Sequence, residues 1–110
     1  SQMTAQQCKN MTFRTIDKVK VKGKTEAVII YEPVDPDLLM NPDFVAALQR
    51  HEQALVLYWQ QHWNEAEQLW ASLYQRYNDK LYSLYLERLT HYRTHQTGAD
   101  WDGVYTHAEK

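Results

Sequence analysis

The sequence predicts an α+β fold: a short helix and a β-hairpin, then three antiparallel helices and an irregular aromatic C-terminus. Two changes of pattern carry that prediction. Between Phe13 and Tyr31 charged and apolar residues alternate with period two, and from Asn41 the apolar period lengthens to 3.6. Pro33 and Pro36 stand between the two patterns and fit neither.

The opening phrase, Ser1 to Lys9, carries a weak helix signal and runs into the loop Asn10-Met11-Thr12. Lys18, Lys20 and Lys22 then alternate with Val19 and Val21, placing charge on one face of a strand and apolar groups on the other. Gly23-Lys24-Thr25-Glu26 is a polar turn, and Ala27-Val28-Ile29-Ile30-Tyr31 reads as a second, better buried strand. A two-stranded hairpin is marginal in water unless something covers it. Asp35-Pro36-Asp37 is a stiff acidic connector.

Asn41 followed by Pro42 reads as a cap and first turn, with Phe44, Leu48, Leu55 and Tyr58 along the first helix to about Gln61. Asn64 and Glu67 have the spacing of a capping box, and Ala66, Leu69, Trp70 and Leu73 line the second helix to about Tyr77. Asp79 caps a third helix striped by Leu81, Leu84, Tyr85, Leu89 and Tyr92, which ends before Gly98. The connections are short enough to make successive helices antiparallel neighbours. Residues 1–34 thus form one region, 35–41 a linker and 42–110 a helical tail.

Composition narrows the function classes. Apolar residues make up 44% of the 110 and charged residues 24%, sufficient for a modest core. No apolar run approaches the roughly 18–20 residues of a membrane span. Cys8 is the sole cysteine, so no intrachain disulfide is available, and a reducing, cytoplasmic setting is expected. The start at Ser1, without an initiator Met, points to a piece of a longer protein. Residues 1–34 hold six Lys or Arg against three acids, whereas residues 35–110 hold six against eleven. An acidic tail opposes phosphate contacts, so nucleic acid is not the expected partner.

The run Phe13-Arg14-Thr15-Ile16-Asp17-Lys18-Val19-Lys20-Val21-Lys22-Gly23-Lys24, followed by Ala27 to Glu32, resembles the C-terminal edge of class III adenylate and guanylate cyclase domains. That family carries there an aromatic-Arg pair, a hydrophobic-Asp pair and Val-Lys-Gly-Lys before a strand ending in Tyr-Glu. The likeness covers about a third of the chain. It implies that the parent forms cyclic AMP or cyclic GMP from the triphosphate, with ATP the expected substrate, and releases pyrophosphate. It implies two divalent ions, Mg or Mn, and a site formed between two catalytic domains, so the partners are the rest of the parent domain and a second copy. The metal-binding aspartates, purine-selecting residues and transition-state Asn-Arg pair would all lie before Ser1. No catalytic residue and no cofactor is therefore expected in these residues, and the segment alone is not expected to be an enzyme.

One residue carries over. By motif position Lys22 would contact the triphosphate, where an ammonium offsets charge on the leaving pyrophosphate. Lys18, Lys20 and Lys24 read more simply as a solvated face that discourages edge pairing. For Lys22 both readings stand.

The tail has one copy of a tetratricopeptide-like pattern: Ala54, Trp63, Ala66, Trp70 and Leu73 fall near the repeat's offsets. The phrase Trp101 to Val104 resembles the tails found after some bacterial cyclase domains. Such a tail would buttress the catalytic domain, affect its dimerisation or relay a signal. The alternative is a peptide-binding helical module with no catalytic link, which needs a groove lined by exposed aromatics. Tyr58, Trp59, Trp63 and Tyr74 are the candidates for that patch. His91 and His95 have a chelating spacing but no third ligand, and His51, His62 and His107 carry no pattern.

Overall fold

The computed structural model describes residues 11–106. The expected helix within Ser1–Lys9, together with Cys8 and His107, lies outside them. The described chain is an antiparallel hairpin followed by three α-helices, an α+β arrangement. It divides into two units. One holds the described residues up to Val45 together with those from Asp102 onward, and the other is Ala46–Trp101.

In the first unit β1 (Phe13–Lys20) pairs with β2 (Ala27–Pro33). Thr15 stands opposite Tyr31 but Asp17 opposite Ile30, so Ile16 is the extra residue of a β-bulge. Arg14 and Glu32 face each other in the register, and the guanidinium Nε donates to the carboxylate at 2.9 Å. The turn closes through Lys24 N–H to Val21 O at 2.9 Å, with Gly23 at φ +84°. No atom lies within 4 Å of where a Cβ would sit, so backbone conformation rather than space requires glycine there.

β2 is not the better buried strand that its composition suggests. Val28 and Ile30 are each 42% exposed, and Val21 of the turn 54%. A two-stranded sheet has two faces, and the one bearing these residues is uncovered. The connector is also more ordered than a linker. Pro36–Met40 is a 3-10 helix, started by proline's fixed φ and by Asp35, whose carboxylate accepts from Asp37 N–H at 2.9 Å.

Helix α1 (Pro42–Trp59) begins as expected, with the Asn41 side-chain oxygen accepting from Asp43 N–H at 2.9 Å. Its end is a Schellman motif: His62 N–H bonds Leu57 O at 2.8 Å and Gln61 N–H bonds Tyr58 O at 2.9 Å. Gln61 occupies the left-handed position at φ +66°. Helix α2 (Trp63–Tyr77) has His62 at its cap, so Asn64 and Glu67 do not form the expected capping box. Both instead accept from Arg93, Asn64 at 2.7 Å. The side chains were within reach of a stronger donor on a neighbouring helix. Asn78, left-handed at φ 54°, ends α2, and the Asp79 carboxylate caps α3 (Lys80–Thr94) through Leu81 N–H at 2.8 Å.

Ring contacts set the helix directions in the second unit. Trp63 stacks on Tyr92 and Trp70 on Tyr85, so α2 and α3 are antiparallel. Tyr58 meets Trp63 while His51 meets Trp70, so α1 and α2 are antiparallel as well. The core is largely aromatic, with Tyr58, Trp70 and Tyr85 each at 0% exposure beside Ala54, Leu55, Ala66 and Leu89. The small residues Ala54 and Ala66 leave the room that the rings fill. Leu84, expected on the inner stripe of α3, is exposed, and Arg88 is buried in that helix.

Candidate functional site

Lys22 stands just beyond β1, on the turn between Val21 and Lys24, and is exposed to solvent. The lysines do not form one uniform cationic face. Lys18 is half-buried and its N–H bonds the Asp17 carboxylate at 2.8 Å. Lys20 Nζ lies 2.9 Å from Asp102, and that contact with the adjoining Val104 N–H holds the Asp102 carboxyl below its usual range. Lys22 and Lys24 are exposed to solvent. Of the alternating set, Lys22 thus sits at the tip, with the ion-paired Lys20 two residues behind it.

The divalent ions implied by the cyclase likeness find no set of ligands here. Among the described residues no three His, Cys, Asp or Glu side chains gather to hold a metal. Asp35 is engaged in capping, and Asp102 is bound to Lys20. His91 and His95 stack with ring centres 4.2 Å apart, and His95 Nδ1 lies 3.1 Å from the His91 carbonyl and 2.9 Å from Thr94 Oγ1.

The four aromatics expected to form an exposed patch are placed otherwise. Tyr58 is fully buried and touches five other rings: Trp63, Trp70, Tyr85, Tyr92 and Trp101. It is the hub of the core, because the last turn of α1 points inward where the helix caps. Trp63 is half-buried against Tyr92, and Trp59 and Tyr74 are half-buried as well. A hollow of about 480 Å³ opens near the start of α2, lined by Gln61, His62, Asn64, Glu65, Arg93 and Gln96 beside Trp63 and Tyr92. Its polar lining differs from the aromatic groove that a peptide-binding module would need.

Several consequential residues carry no motif in the sequence. His51 is fully buried, and its Nδ1 accepts from the Trp70 indole N–H at 3.0 Å. The signal available was its position: three residues after Leu48 and four before Leu55, it falls on the apolar stripe of α1. Arg88 lies 5.1 Å from the Tyr85 ring centre and places its charge near the Tyr58 hydroxyl. Gln61 binds the segment after α3, donating from Nε2 to Gly98 O at 2.9 Å and accepting from Thr97 Oγ1 at 2.6 Å. Trp101 then inserts edge-on against Tyr58, Trp63 and Tyr92, with centres 5.2–5.6 Å away.

No helix among the described residues is long and apolar enough to cross a membrane. No protein family, curated protein or solved structure matches the chain.

Proposed function

We propose that this chain is the C-terminal region of a class III nucleotidyl cyclase, in which residues 13–33 close the catalytic sheet and the helices form a structural or regulatory tail. The observation that carries the reading is the unfinished state of the hairpin. It has two strands, with Val21, Val28 and Ile30 exposed. About half exposed, each side chain forfeits part of the roughly 1.5–3 kcal/mol that complete burial supplies. A larger sheet with a covering layer would recover that free energy, and the Phe-Arg to Val-Lys-Gly-Lys order of the strand matches the cyclase edge.

In the parent, Lys22 would bind the triphosphate of ATP, and two Mg or Mn ions held by residues before Ser1 would supply the Lewis-acid chemistry. Its place on the turn supports this role, since an ammenable tip position leaves the ammonium free to reach a phosphoryl oxygen. The tail's part is to support the catalytic domain, bias its dimerisation or carry a signal, within a cytoplasmic enzyme.

The test is removal of residues 36–110 from the parent protein. Changed cyclic-nucleotide production, dimerisation or regulation is expected. If all three survive intact, the tail has no such role.

A further inference from the structure

The irregular segment that follows α3 lies back on the helices of its own unit. Among residues 96–101, Thr97 and Trp101 are half-buried and the others exposed. Gly98 O closes a turn by accepting from Trp101 N–H at 3.2 Å, and it also accepts from Gln61 Nε2 at 2.9 Å. Thr97 Oγ1 donates to the oxygen of the same Gln61 amide at 2.6 Å. A Cβ on Gly98 would meet the Asp100 carboxylate at 3.0 Å, so this turn favours glycine. The turn delivers the Trp101 indole edge-on to Tyr58, Trp63 and Tyr92, with ring centres 5.4, 5.6 and 5.2 Å away. Every residue of this contact lies within Ala46–Trp101. The helical unit thus holds an aromatic slot that its own chain fills.

We propose that Gln61, Tyr58, Trp63 and Tyr92 form a receptor for a peptide turn ending in tryptophan, which residues 97–101 occupy until a partner protein presents the same turn. The segment in place defines the chemistry of its replacement. A hydroxyl residue and a glycine carbonyl engage the two ends of the Gln61 amide, and an indole three residues after the glycine enters the slot. The present occupant is held by two side-chain hydrogen bonds and one half-buried ring, whereas Trp70 and Tyr85 beneath it are fully buried. Gln61, Trp63 and Tyr92 also line the hollow of about 480 Å³, so open space borders the slot and gives an incoming segment a place to engage. The tether to α3 makes the internal segment compete at an effective concentration on the order of millimolar, which a partner exceeds only through additional contacts. The inference is independent of the cyclase reading, because every group it uses lies in the helical unit.

The test uses the 110-residue protein and a synthetic peptide of residues 96–101 with both ends blocked. In Trp101→Ala the peptide should bind saturably and shift the Trp63 and Tyr92 ring resonances, with a Kd about tenfold or more below that for wild type. The peptide carrying Trp101→Ala should not bind. Trp101→Phe, which keeps a ring in the slot, should give an intermediate affinity and replaces the first variant if that one does not fold. In labelled wild-type protein, peptide on the order of millimolar should move the Thr97 and Gly98 amides toward unstructured positions, while amides within Trp63–Tyr77 keep their helical ones. Equal affinity for wild type and the variants, or Thr97 and Gly98 amides that stay fixed under excess peptide, overturns the proposal. Dimerisation of the wild type that Trp101→Ala abolishes would assign the turn to a second copy and overturn the partner reading.

Discussion

The Trp70 indole N–H donates to His51 Nδ1 at 3.0 Å, inside a core where both residues are fully buried. An indole nitrogen can only donate, so the imidazole must accept at Nδ1 and carry its proton on Nε2. The pair links α1 to α2 at the level where Trp70 stacks on Tyr85. Replacing His51 with Leu keeps the volume but leaves the indole N–H without its acceptor, at a cost of about 1–3 kcal/mol. His51→Leu with Trp70→Phe should lose less than the sum of the two single changes, as read from urea unfolding.

Gln61 sets two effects against each other. Its left-handed backbone at φ +66° disfavours any residue with a Cβ by roughly 1–2 kcal/mol. Its side chain bonds Gly98 O and Thr97 Oγ1, and each bond contributes about 0.5–1.5 kcal/mol. Gln61→Ala loses the bonds and keeps the strain, whereas Gln61→Gly loses both. Thermal unfolding should therefore rank wild type above Gln61→Gly, and Gln61→Gly above Gln61→Ala.

Burial pushes the Tyr58 hydroxyl far above its usual value, and the Arg88 charge only partly opposes this. A raised value in the folded state means that the unfolded chain ionises first. The contribution is fully present below the ordinary tyrosine value of about 10 and is lost as pH rises beyond it. Absorbance of tyrosinate should show Tyr58 titrating only with unfolding. Tyr58→Phe should lessen the alkaline loss of stability, seen as a flatter dependence of the urea midpoint on pH.

The Asp102 carboxyl moves the other way, lowered first by its bond to Lys20 and then by Val104 N–H. Its contribution is present above the ordinary aspartate value of about 3.9 and is lost as pH falls through the depressed folded value. Both partners are partly exposed, so the effect is small and weakened by salt. Carboxyl resonances followed by NMR should show Asp102 titrating below the ordinary aspartate value in low salt, with Lys20→Gln moving it upward.

The hairpin and the three helices were legible because each is a local pattern. The alternation through Lys18–Val21 and the caps Asn41 and Asp79 are set by neighbours in sequence. The errors arise where distant groups compete. Asn64 and Glu67 had a cap's spacing, but Arg93 lies against them in the folded chain and takes both. Tyr58 looked like a turn-side surface aromatic, because nothing in α1 shows that Trp101 and Tyr92 will enclose it. Ile16 became a bulge through cross-strand register, which alternation alone does not specify. Lys22 was singled out from motif order alone, whereas the ion pair of Lys20 with Asp102 was not foreseen, because the two residues lie at opposite ends of the chain.

The central claim is tested most directly by a longer protein that carries these residues as its C-terminal region, assayed with ATP and with GTP in the presence of Mn. Cyclic nucleotide and pyrophosphate should appear in equal amounts, and Lys22→Ala should raise KM for the triphosphate about tenfold or more while leaving the fold intact. No cyclic product from either triphosphate by the folded wild-type protein would contradict the account.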